Sequence, residues 1–161
     1  MDAFVQPLYE LADFDAIIRQ LKKPGIVQVS GCLDSQKAHF TNGLLREFPF
    51  RLIVAENDLK AKAFYEDFRL YDPEVLYYPA RDLIFYQADI HGNLLTRQRI
   101  QVLRALLERE EVTIVTSIDS CLDCLVPLAV WKEKVIKIRN DSEIDLDRMK
   151  RHLLELGYEW A

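Results

Sequence analysis

The residues best placed to do chemistry are Gly31 and Lys37, which bound the stretch Gly31-Cys32-Leu33-Asp34-Ser35-Gln36-Lys37-Ala38. A glycine that follows a short β-branched run and precedes a lysine near a helix start is the frame of the phosphate loop GxxxxGK[ST]. In that loop backbone N–H groups cradle phosphate oxygens, the lysine reaches the β/γ oxygens, and the hydroxyl holds magnesium. Here Gln36 stands where the second glycine belongs, Ala38 replaces the hydroxyl, and Asp34 puts a carboxylate in the anion's seat. A hydrogen bond to a charged group is worth roughly 1.5–3 kcal/mol, so losing two costs roughly two to four decades of affinity. No strand ends in the paired Asp-Glu that completes a magnesium site, and Asp119 is a poor substitute. The loop therefore predicts a chain without nucleotide, metal or hydrolytic activity of its own. The alternative is a P-loop NTPase or kinase with an atypical loop; the plainest reading is that Gly31 only turns a strand into a helix and Lys37 is a solvated cation.

Three other groupings carry possible chemistry. Cys121-Leu122-Asp123-Cys124 has CxxC spacing, which suits a redox pair or half a zinc site, but His39, His91 and His152 are scattered, so two small residues in a helical turn is the expectation. Arg97, Gln101 and Arg104 share an outward helical face, with Arg99 beside them, and could touch a phosphate backbone; a solvated face is the commoner outcome. Tyr77, Tyr78, Phe85 and Tyr86 could stack on bases, or pin a loop to a sheet, which the nearby Leu and Ile favour.

These residues need elements to hold them. Apolar residues from Leu8 to Leu21 recur at helical spacing until the Lys22-Lys23-Pro24-Gly25 stop. Ile26–Val29 then reads as a strand and Ser35–Phe48 as a helix. Arg51–Ala55 is a strand, Asn57 or Asp58 a helix cap, and the helix runs to about Leu70. Val75–Tyr78 is a strand, Pro79–Asn93 a loop packed by its own aromatics, and Leu94–Glu110 a helix turning Leu95, Ile100, Leu103, Leu106 and Leu107 inward. Val112–Thr116 is a β-branched run of the kind that parallel sheets bury on both faces. Four β-α units in series predict an α/β fold with a doubly wound, mostly parallel sheet of P-loop or helicase-lobe type, its ligand edge at the strand C-termini. After Pro127, Val135–Ile138 reads as a strand and Asp145–Leu156 as a helix closed by Gly157. A lone strand and helix bury their apolar faces poorly, so residues 1–125 are expected as one lobe and 126–161 as the beginning of a second, α+β domain, cut short.

Composition narrows the classes further. Half the residues are apolar and 29% are charged, enough for a packed core. The formal charge of −5 disfavours a dedicated nucleic-acid grip, which needs clustered Lys and Arg. Three cysteines without a secretory leader suggest a reducing cytoplasm, and no apolar run is long enough to span a bilayer.

The segment from Tyr77 to Asn93, TyrTyrProAlaArgAspLeuIlePheTyrGlnAlaAspIleHisGlyAsn, followed by Leu94-Leu95-Thr96-Arg97-Gln98-Arg99-Ile100, resembles the UvrB-homology region of transcription-repair coupling factors, the Mfd family. Leu52–Asp58 is similar to the strand and turn of helicase motif Ia, Thr113–Ile118 to a later strand of the same lobe, and the stretch after Pro127 to the beginning of the domain that recruits UvrA. The resemblance implies a noncatalytic adaptor in transcription-coupled nucleotide excision repair, in a parent that moves stalled RNA polymerase off damaged DNA. ATP and magnesium would then belong to a translocase downstream, contacted intramolecularly. UvrA would be met through the following domain, with Arg148, Arg151 and His152 as candidate contacts, and DNA through other parts of the parent or locally through Arg97 and Arg104.

Overall fold

The computed structural model describes residues 4–81, 89–136 and 143–155. It divides into two compact units, Met1–Asp123 and Cys124–Ala161. The first is α/β, as expected from the alternating apolar periods. A 3₁₀ turn, Gln6–Glu10, precedes helix α1 (Phe14–Leu21), then α2 (Asp34–Leu45), β1 (Phe50–Ala55), α3 (Asp58–Phe68), β2 (Leu76–Tyr78), α4 (Asp89–Glu108), β3 (Val112–Ser117) and the short α5 (Ile118–Cys121).

The described strands form one parallel sheet in the order β1-β3-β2. Register pairs Leu52 with Ile114 and Leu76 with Ile114 on its other side, so β3 is central. All of its residues are buried, which explains its unbroken β-branched run. Side chains of a strand alternate between faces, and two separate cores result. On one face Ile53, Tyr77 and Val115 meet Ala61 and Phe68 of α3 and Ala38 of α2. On the other, Leu76, Tyr78, Val112 and Ile114 meet Val102 and Ala105 of α4. Helices on both faces are what successive crossovers between parallel strands produce.

A third cluster joins Leu8, Phe14, Ile18 and Leu44, fastening the amino-terminal turn and α1 to α2. Its closest point is Gly43, where a Cβ would come within 2.4 Å of Leu8 and 3.0 Å of Phe14. The helix expected over Leu8–Leu21 is thus two pieces, because the chain turns extended at Leu11 to let both pieces reach that core.

Ile26–Val29 is not a strand. It carries no regular structure and has no ladder partner among the described residues, and Ile26 is 99% exposed. β-Branched composition favours extended backbone, but only a neighbouring strand makes it a sheet. The expected loop Pro79–Asn93 is also shorter than its polar composition suggests, since α4 already begins at Asp89.

In the second unit α6 (Leu128–Lys134) and α7 (Leu146–Glu155) are helical. Val135 and Ile136 lie outside any strand, so the described part of the expected Val135–Ile138 strand does not form; Lys137, Ile138 and Gly157 fall outside the described residues. Among the described residues no helix is long and apolar enough to cross a membrane.

Candidate functional site: an anion loop filled from within

Gly31 sits at φ +91°, a conformation open to glycine and costly for residues with a Cβ, in the irregular segment that leads into α2. α2 begins with the backbone N–H groups that an anion would need. The first of them, at Leu33, is already engaged. The Gln36 side-chain oxygen accepts from the Leu33 N–H at 3.2 Å, closing the helix start from within. Asp34 occupies the first turn, where the helix dipole favours negative charge.

Lys37, the residue that would reach phosphate, donates instead to Asp34 at 2.5 Å. Both side chains are well exposed, so the pair is a local neutralisation that adds little stability. The hydrogen bond from Lys37 holds the Asp34 carboxyl below its ordinary range, and the same bond raises the Lys37 ammonium. The loop thus carries its own carboxylate in front of its own cation. Cys32 beside it is half-buried and free.

The C-terminal edge of the sheet, where parallel sheets receive ligands, is also internally satisfied. Asn57 caps α3 by accepting from the Lys60 N–H at 2.9 Å, which frees Asp58 to accept from the Ala80 N–H at 3.1 Å. The Thr116 hydroxyl donates to the Tyr78 carbonyl at 2.9 Å, and buried Ser117 and Ser120 bond each other at 2.9 Å. Arg99 closes the group. It is 6% exposed, donates to the Pro79 carbonyl at 2.7 Å, lies 4.2 Å over the Tyr78 ring, and pairs with Asp123 at 2.8 Å. A cleft of about 370 Å³ between α3 and α4 remains beside this edge, but Asp58 and Glu66 face its single Lys62, a poor seat for a phosphate.

The other sequence candidates separate. Arg97 is exposed on α4, and Arg104 is exposed but engaged with Glu108 at 2.8 Å. Arg99 does not belong to that surface: it turns inward with Val102 and Ala105. Tyr77 and Tyr78 are not a stacking platform either. They are buried, Tyr77 against Tyr65 and Tyr78 under Arg99, and burial raises both phenols above their ordinary range. Phe85, Tyr86 and His91 fall where no side chain is described. Cys121 and Cys124 are free and exposed, and no group of metal-ligating side chains forms among the described residues. Arg148 and Arg151 are exposed on α7 with His152 half-buried between them and the apolar side. Sequence reasoning missed the Arg99–Asp123 pair. The available signal was a lone arginine at the phase of Val102 and Ala105.

No family model matches the chain. Individual relatives do. Over 99% of its length the chain is 28% identical to the transcription-repair-coupling factor of Bacillus subtilis. Over 89% it is 29% identical to UvrABC system protein B of Treponema denticola, and over 68% it is 31% identical to the protein of the same name from Thermosipho africanus. One stretch of the chain matches both kinds of protein. The chain resembles a UvrB-homology region.

The chain spans 14% of the length of the Bacillus subtilis relative and 20% of the Treponema denticola one. Its kinship is with DNA-repair proteins. In this chain the loop carries the Lys37–Asp34 and Gln36–Leu33 contacts, and the sheet edge carries Arg99.

Proposed function

We propose that this UvrB-homology region is the noncatalytic amino-terminal scaffold of an ATP-dependent DNA translocase, one that displaces stalled RNA polymerase and recruits UvrA in transcription-coupled excision repair. The Lys37–Asp34 contact carries the reading: the cation of a phosphate loop is spent on a neighbouring carboxylate, and the helix start is closed by Gln36. In this reading the first unit is the degenerate P-loop lobe and the second opens the UvrA-recruiting domain. ATP and magnesium act in the downstream motor, and the lobe contacts that motor intramolecularly. RNA polymerase and DNA are engaged by other parts of the parent in the cytoplasm.

Arg148 and Arg151 supply the basic face toward UvrA, with His152 beside them. Titration of purified UvrA onto the immobilised chain tests the partner. Saturable binding that Arg148→Glu with Arg151→Glu weakens about tenfold is the expected result. A UvrA that does not bind, or that binds the double variant equally, contradicts this assignment.

A further inference from the structure

Three buried polar atoms of the first unit stand in one neighbourhood without an aligned hydrogen-bond partner: the Tyr78 hydroxyl, Nη2 of Arg99 and Oδ2 of Asp123. Tyr78 and Arg99 are each more than nine-tenths buried. Buried polar groups in folded proteins are nearly always paired, so orphans gathered at one place call for a common partner. The other such atom among the described residues, Nε of Arg51, lies apart from them at the amino-terminal end of β1.

The fold brings the three together from separate elements. Tyr78 ends β2, Arg99 reaches over it from α4 with its Cζ 4.2 Å from the phenol ring, and Asp123 follows α5. Nη1 of Arg99 donates to the Pro79 carbonyl at 2.7 Å, which fixes the guanidinium. Nη2 then lies 2.8 Å from Asp123 Oδ2 without aiming an N–H along that line. Half-exposed Arg81 stands 3.7 Å from the same oxygen. Burial is the leading cause of the raised Tyr78 phenol, and the charges of Arg99, Asp123 and Arg81 act on it next, so the hydroxyl shares the surroundings of the other two atoms.

These atoms set the chemistry of what can join them. Nη2 only donates, an ionised carboxylate only accepts, and a phenol does either. An acceptor-only ion such as chloride would lie against the carboxylate, and a metal cation would lie against the guanidinium. Water accepts from Nη2 and from the phenol and donates to Oδ2, a set of about three hydrogen bonds that is typical of buried waters. We propose that Tyr78, Arg99 and Asp123 form the binding site of a single resident water molecule at the carboxyl edge of the sheet. The water bridges the misaligned ion pair and carries its tie from α4 and Asp123 on to the end of β2.

Oxygen-17 relaxation dispersion, which counts long-lived internal waters, tests this on the full chain. The variant is Tyr78→Phe, and the control is Tyr77→Phe, whose hydroxyl already donates to the Asp58 carbonyl at 3.4 Å. The expected result is one long-lived water fewer in Tyr78→Phe than in the parent and an unchanged count in the control. A crystal structure of the parent should show that water within about 3 Å of all three atoms, and a bromide soak should leave no anomalous density there. A count that Tyr78→Phe leaves unchanged, or that the control lowers equally, overturns the proposal. So does a parent structure in which Tyr78 donates directly to Asp123, or bromide at the site, which would make it an anion site.

Discussion

The Arg99 guanidinium stands 2.8 Å from the Asp123 carboxylate while donating to the Pro79 carbonyl at 2.7 Å, which ties α4, the end of β2 and the exit from the first unit to one buried cation. The contact with Asp123 is ionic: neither Nη2 nor Oδ2 has an aligned hydrogen-bond partner. Removing Arg99 leaves the Asp123 carboxylate only the more distant Arg81, 3.7 Å away, so Arg99→Met should destabilise the first unit by about 2 kcal/mol, moderated by that second cation and because Asp123 is partly exposed to water. A double-mutant cycle with Asp123→Asn in urea melts should return a coupling of about 1–2 kcal/mol. Additive losses would mean that Arg99 acts through Pro79 and the Tyr78 ring alone.

At the loop, Asp34 titrates below its ordinary range because Lys37 donates to it. A lowered folded-state value means that the contact favours the folded chain above the unfolded carboxyl's pKa, and that this is lost as pH falls through the lower folded value. Carboxyl NMR should place the Asp34 midpoint below 3.8, and Lys37→Ala should return it to the ordinary value. An Asp34 midpoint indifferent to Lys37 would remove the ion pair from the account.

Tyr77 and Tyr78 titrate in the opposite sense. Burial is the leading cause for both, with the Asp58 contact adding to it at Tyr77. Their folded pKa values exceed the unfolded 10.0, so stability is fully present below pH 10 and declines as pH rises beyond it. Ultraviolet difference titration should show these two phenols ionising only with unfolding. In Tyr77→Phe the late-ionising fraction should shrink by one tyrosine.

Asn57→Ala removes the side-chain acceptor for the Lys60 N–H and should cost about 1 kcal/mol in thermal or urea melts. A neutral substitution would show that α3 is held by Ala61 and Phe68 in the core without help from its cap.

What the sequence revealed follows from which interactions are local. Asn57 at a helix start, the β-branched run of β3 and the helical periods of α2 and α3 are signals within a few residues of chain, and the structure repeats them. The carboxylate of Asp34 in the loop was legible, but its pairing with Lys37 and the closure of the Leu33 N–H by Gln36 depend on side-chain rotamers and were not read from the sequence. Partnership across the chain was not legible either. Ile26–Val29 has strand composition without a neighbouring strand, and Ile100 and Leu106 lie on an apolar stripe wider than its buried face, both remaining exposed. Arg99 read as a surface cation because its Pro79 and Asp123 partners are remote in sequence and approach only after folding.

The decisive measurement is calorimetric titration of ATP with magnesium into the chain, repeated with Lys37→Ala. A loop whose cation and helix start are already occupied should give no saturable heat up to about millimolar nucleotide in either protein, and no phosphate release. Micromolar binding that Lys37→Ala abolishes, accompanied by turnover, would contradict the account and make this chain an NTPase.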